Sequence, residues 1–201
     1  MSIADRVRVH SVETLSDNHY TLRRATFDFR RNDGRWQRQV RESFDRGDAA
    51  AILLFDPDRR TVVLVRQFRF PAFSNGHDAL LLEVPAGMLD AAAPAARIRT
   101  EVEEETGFRV SGVEPVFQAF SSPGAVTERV HCFVGRYRPA DRHGPGGGHA
   151  AEGEDIEVLE PSIEDALAML RDGGIRDSKT IMLLQHAALH LFPGAVATPG
   201  K

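Results

Sequence analysis

The stretch "EVEEETG", residues 101–107, sets four carboxylates within five positions just ahead of a glycine. Pro94 suits the first turn of a helix, and Gly107 suits the left-handed residue just past its end. The spacing therefore predicts a helix over residues 94–106. Within it Ile98, Val102 and Thr106 recur every four residues with Ala95 beside them, a stripe able to face a core. Glu101, Glu104 and Glu105 share a face through i, i+3 and i+4 spacing, while Glu103 points elsewhere. Each like-charge pair costs about 0.2–0.5 kcal/mol. Each carboxylate in the last turn also opposes the helix dipole by about 0.3–1 kcal/mol. Arg97, one turn earlier, offsets only part of this. Two readings follow: a solvated acidic face, or a seat for a hard divalent cation. Mg²⁺ prefers oxygen ligands and keeps several waters, so two or three carboxylates plus a substrate phosphate suffice.

Outward from this helix, "ALLLEVPAG" (79–87) precedes it as a strand, and "AILLF" (51–55) and "TVVLVRQFRF" (61–70) read as buried strands around the turn "DPDRR". Residues 19–46 alternate apolar and polar positions around "NDG", which predicts an antiparallel hairpin turning at Asn32, Asp33 and Gly34. Strands are expected at about 110–120 and 129–137, then a glycine-rich loop over 142–155 and a strand at 156–160. Residues 162–173 and 177–192 read as amphipathic helices, and the end as a loose tail. The order gives an α+β fold with the first ~45 residues as a separate sheet: residues 1–46, then a main domain over 47–192, then a tail over 193–201.

Composition narrows the function. The 201 residues are 42% hydrophobic and 27% charged, which is globular usage. The net charge of -4 offers no general attraction to nucleic acid. Cys132 is the single cysteine, so no internal disulfide can form and a reducing cytoplasm is the expected setting. "MSIADRVRVH" has no apolar core, so no signal peptide is expected, and no apolar run is long enough to span a membrane.

The segment "GMLDAAAPAARIRTEVEEETGF" (87–108) resembles the Nudix box: Gly, five residues, Glu, seven residues, then Arg-Glu-apolar-x-Glu-Glu-x-Gly-apolar. Glu101, Val102, Glu104, Glu105, Gly107 and Phe108 fit its second half. Thr100 stands in place of the box Arg, the interval from Gly87 is one residue short, and Ala93 falls where the first box Glu would be. "SDNHYTL", "RESFDRG", "TVVLVRQFR", "AGMLD", "SPGAVTE", "GEDIEVLE" and "IRDSKT" further resemble the GDP-mannose pyrophosphatases, a nucleoside-diphosphate-sugar branch of Nudix hydrolases that shares the shortened box.

That resemblance implies an α/β/α sandwich with a mixed sheet, an N-terminal antiparallel sheet used in dimerisation, and Mg²⁺-dependent cleavage of a nucleotide sugar to a nucleoside monophosphate and a sugar phosphate. Mn²⁺ is the expected substitute ion. It implies Glu101, Glu105, Glu154 and the carbonyl of Ala86 as metal ligands, with Glu104 at the same edge and the general base lying between Glu154 and Glu105. Substrate contacts would come from Gly87 and Met88 of "AGMLD", Arg69, Glu128 and Lys179. Arg41 and Glu42 would be lent by the other subunit of a homodimer. His19 stands where the branch carries Tyr, and either ring can stack on a base. "EVPAG" and Pro123 are shared with ADP-ribose and ADP-sugar pyrophosphatases, the nearest rival. A non-catalytic Nudix-like ligand sensor is a second rival, with Ala93 in its favour and the intact Glu101, Glu104 and Glu105 against it.

Overall fold

The computed structural model describes residues 2–89 and 92–195, and the side chain of Glu152 is outside that description. Most of the tail expected over 193–201 therefore lies outside the described residues. The chain divides into two units.

The N-terminal unit runs to Asp48 and includes Phe120–Arg129. A 3-10 turn, Ile3–Arg6, is capped by Ser2 and Asp5 and leads into β1 (Val7–Asp17), β2 (Thr21–Arg30) and β3 (Trp36–Asp45), an antiparallel sheet in that order. The expected hairpin is β2–β3, with Arg30 opposite Trp36 and Thr21 opposite Asp45. Gly34 turns it at φ +85°, a left-handed conformation that favours glycine. The segment 120–129 is fastened to this sheet by hydrogen bonds. The Phe44 N–H donates to the Ala125 carbonyl (2.7 Å), and the Thr127 N–H to the Phe44 carbonyl (3.1 Å).

The second unit holds the sandwich. Its sheet contains β4 (Ala49–Asp56), β5 (Thr61–Gln67), β8 (Glu114–Phe120), β9 (Arg129–Arg136) and β10 (Glu157–Leu159) in the order β10-β5-β4-β9-β8. Two short strands, β6 (Leu81–Glu83) and β7 (Ala86–Met88), pair with β5 and β4. The β4–β9 pair is parallel, while β4–β5 and β5–β10 are antiparallel, so the sheet is mixed. Its helices are α1 (Phe70–Ser74), α2 (Pro94–Thr106), α3 (Ile163–Arg171) and α4 (Ser178–His190).

The period of two along β4 explains why "AILLF" is apolar throughout. Ala50, Ile52 and Leu54 pack with Ile98 and Val102 of α2. Ala49, Ala51, Leu53 and Phe55 pack with Ile163, Ala166, Leu167, Leu183, Leu184 and Ala187 of α3 and α4. Both faces of the strand are covered, and Ala49–Phe55 is apolar on both, with Asp56 at its end.

Three elements differ from expectation, each for a local reason. β1 was not foreseen, because "VRVHSVETLSD" is polar and exposed along nearly its whole length. The strand expected over 61–70 stops at Gln67, since Pro71 suits the start of α1 and has no N–H for a ladder. The strand expected over 79–87 is broken between Glu83 and Ala86 at Val84-Pro85.

Candidate active site

α2 begins at Pro94 and ends where the Gly107 N–H donates to the Glu103 carbonyl (2.9 Å), with Gly107 at φ +74°. Its inward face carries Ile98, Glu101, Val102, Glu105 and Thr106. Glu101 and Glu105 are therefore core-facing, only 6% and 2% exposed. This overturns the solvated reading for those two acids. Glu103 does face solvent, paired with Arg109 at 2.6 Å, and Glu104 is half-buried.

Isolated carboxylates are very costly to bury, so each needs a partner or must hold a proton. Glu101 has Arg97, whose Nη2 is 2.6 Å from its Oε1. Arg97 also donates from Nε to the Met88 carbonyl at 3.3 Å, joining α2 to β7. Glu105 is worse off: its Oε2 is buried without a hydrogen-bond partner. Burial, then the negative charges of Glu101 and Glu154, push its carboxyl well above the ordinary value, with Arg69 opposing and Glu83 adding to the rise.

The glycine-rich segment brings Glu154 to this helix end. Gly147 and Gly148 donate N–H bonds to the carbonyls of Glu105 (2.9 Å) and Glu104 (3.0 Å). The orphan carbonyls of a helix terminus are thus satisfied by a loop that has no apolar anchor of its own. Glu154 accepts the His149 N–H at 2.8 Å, and the His149 ring stands 3.0 Å from Glu104.

On the other side, Glu83 on β6 is 3% exposed and joins two cations. Arg69 donates from Nε to its Oε2 (2.7 Å), and Lys179 from Nζ to its Oε1 (3.3 Å). Lys179 also reaches Asp177 at 2.6 Å. Burial works against the Lys179 charge, but Asp177 and Glu83 together outweigh it and its pKa is raised. Sequence reasoning missed Glu83. Its signal was a lone acid inside the apolar run "LLLEVP" (80–85).

The second unit therefore brings together Ala86, Gly87, Met88, Glu101, Glu104, Glu105, Glu154, Arg69 and Lys179. The remaining candidates lie in the N-terminal unit. His19 is exposed in the β1–β2 turn with its ring 4.4 Å from that of Tyr20. Arg41 and Glu42 are exposed on β3, and Glu128 lies 3.5 Å from Arg46.

Among the described residues no three His, Cys, Asp or Glu side chains are already drawn into one ligand set. Glu101 is turned to Arg97, and Glu104 and Glu154 to His149. The donor chemistry nevertheless fits a hard cation: the acids offer only oxygen, they repel one another, and one buried carboxylate oxygen lacks any donor.

Comparison with known proteins bears directly on this arrangement. Residues 45–184, most of the chain, match the NUDIX domain. The chain belongs to the Nudix family. Residues 6–44 match the GDP-mannose pyrophosphatase NudK N-terminal domain. A GDP-mannose pyrophosphatase of Pectobacterium atrosepticum is 50% identical over 176 residues, covering 87% of this chain and 90% of that one. One from Cronobacter sakazakii is 48% identical over 176 residues, covering 87% and 91%. One from Yersinia pestis is 46% identical over 190 residues, covering 94% of both. A solved structure described as an ADP compounds hydrolase superposes with a TM-score of 0.70 over 90% of this chain and 91% of that one. At 16% identity it supports the Nudix fold alone. Nudix hydrolases generally need divalent metal ions, in keeping with the acid cluster on α2. No described helix of this Nudix protein is long and apolar enough to cross a membrane.

Proposed function

We propose that this chain hydrolyses the pyrophosphate of a nucleoside diphosphate sugar, GDP-mannose foremost, with Mg²⁺ (Mn²⁺ substituting), giving a nucleoside monophosphate and a sugar 1-phosphate. The observation that carries this reading is the buried Glu101–Glu105 pair, with one oxygen of Glu105 lacking a donor. Arg97 offsets the burial of Glu101, but no donor offsets that of the Glu105 oxygen. The identity of the relatives points to the substrate.

Glu101, Glu105, Glu154 and the Ala86 carbonyl would hold the ion. Bound there, it supplies neutralisation of the diphosphate oxygens and a lowered pKa for the attacking water. Arg69 and Lys179 would bind the phosphates, Arg69 through its planar fork. Gly87 and Met88 would line the substrate side with backbone groups. Glu154, carried on the docked loop, would orient the water and take its proton, with Glu104 supporting it through His149. Water attacks one phosphorus in line, the bridging P–O bond breaks, and the leaving phosphate keeps that electron pair.

The N-terminal sheet would dimerise the protein. Its exposed apolar residues Val9, Val12 and Val40 support this, being 50–62% accessible, as does Ile3 in the turn before β1. His19, Glu128 and the partner's Arg41 and Glu42 would complete substrate binding. The cytoplasm is the proposed setting, consistent with the free thiol of Cys132.

The test is product analysis with GDP-mannose, ADP-ribose and ADP-glucose in Mg²⁺. GMP and mannose 1-phosphate should form fastest. Preferential release of AMP would favour the ADP-sugar reading, and no monophosphate from any of them would favour a ligand sensor.

A further inference from the structure

The geometry points to Glu83 as the residue that positions Arg69 and Lys179 as a paired cation seat for the substrate's diphosphate. This rests on the proposed hydrolase reading, but Glu83 itself was not among the residues that motif spacing singled out.

Glu83 is the last residue of β6, at register with Val65 of β5, and its side chain is turned inward. Each of its oxygens accepts from a different cation, Arg69 and Lys179. Two cations brought this close repel each other, and the shared anion offsets that repulsion. Lys179 is further fixed by Asp177, whose other oxygen accepts the Thr180 N–H (2.9 Å) and hydroxyl (2.7 Å) at the start of α4. Thr180 in turn accepts the Val84 N–H at 2.8 Å, tying the end of β6 to α4. The helix that carries Lys179 is thereby locked to the strand that carries Glu83.

The seat also remains able to bind. Arg69 donates to Glu83 through Nε and its side chain is 41% exposed, so the η nitrogens are left for a ligand. Two anions (Glu83, Asp177) balance two cations (Arg69, Lys179), which makes the seat tolerable without substrate. β6, which ends at Glu83, runs on into β7, where a Cβ on Gly87 would stand 1.8 Å from Oε1 of Glu101, so the seat adjoins the acids of α2. A diphosphate bridging acids through a cation on one side and this seat on the other would be gripped at both ends.

The test compares wild type, Glu83→Gln and Glu83→Ala, alone and in an Arg69→Ala/Lys179→Ala background. Calorimetry would measure GDP binding in magnesium-free buffer, and kinetics would measure KM and kcat for a nucleotide sugar. Glu83→Ala should weaken GDP binding and raise KM about tenfold or more, with kcat changed less than about threefold. Glu83→Gln has the same volume, keeps one acceptor, and should fall between; it carries the test should the alanine variant not fold. In the double-variant background, loss of Glu83 should add less than about twofold. Unchanged or tighter GDP binding, or a full additional loss without the two cations, would overturn the positioning role. So would a wild type that does not bind GDP. Glu83-dependent GDP binding without turnover of any nucleotide sugar would sink the hydrolase reading and leave the seat standing. Turnover with KM and GDP affinity indifferent to Glu83 would sink the seat alone.

Discussion

Gly87 and Glu101 are in such close contact that a methyl group on Gly87 would stand 1.8 Å from Oε1 of Glu101 and 2.2 Å from its carboxyl carbon. Gly87 is therefore required for space, not for a turn. Its strand, β7, passes directly over the carboxylate that Arg97 holds, and Arg97 also donates to the carbonyl of Met88 next to Gly87. The clash falls on the end of a flexible side chain, so the fold can adapt while the carboxylate moves. Gly87→Ala should lower kcat by about 10²-fold, since misplacement by an ångström is enough. Its unfolding temperature should stay within a few degrees of wild type, measured by calorimetry.

Glu105 should separate stability from activity. Glu105→Gln removes a proposed ligand and should lower the rate by on the order of 10²-fold or more. In chelator it should raise the unfolding temperature, because a neutral amide no longer bears the burial and repulsion that lift the Glu105 carboxyl. Each kcal/mol gained would appear as about 2–4 °C.

The same shift fixes a pH dependence for the metal-free protein. A carboxyl whose folded pKa is raised holds its proton longer in the native state than in the unfolded chain. Its contribution is present below the ordinary value of 4.5 and is lost as pH rises through the raised folded value. Denaturant titrations in chelator should show wild type losing stability across that window, with Glu105→Gln losing less.

Gly148 tests the docked loop. It sits at φ +74°, and a Cβ there would be 2.4 Å from Oε2 of Glu154. Gly148→Ala should therefore strain the backbone by about 1–2 kcal/mol and push Glu154 aside. The rate should fall about 10- to 100-fold. Hydrogen exchange should speed up at the Gly147 and Gly148 amides, whose bonds end on α2.

Cys132 should be inert in the native protein. It is 1% exposed, and burial pushes its thiol up to about 12. Alkylation at pH 8 should proceed only at the rate of unfolding, which mass measurement against time would show.

Much of the second unit was legible because its signals are local. Pro94 and Gly107 bracket α2, and Asp177 caps α4, so these helices lie where the spacing placed them. The burial of Glu101 and Glu105 was not legible. Helical spacing placed them beside Ile98 and Val102, but charge alone argued for solvent, and only the packed β4 face decides. Glu83 was hidden for the opposite reason. A strand's period of two says which way it points, but not that Arg69 and Lys179, distant in sequence from each other, meet it there. β1 stayed hidden because pairing with β2, not apolar content, makes it a strand.

The central claim is that the acids on α2 hold a divalent ion for the substrate's diphosphate. Electron paramagnetic resonance of Mn²⁺ titrated into the protein with GDP-mannose tests it most directly. Wild type should deplete the free-ion signal in proportion to protein, and Glu101→Gln and Glu105→Gln should each restore most of it. A wild type that leaves the free Mn²⁺ signal unchanged would contradict the account.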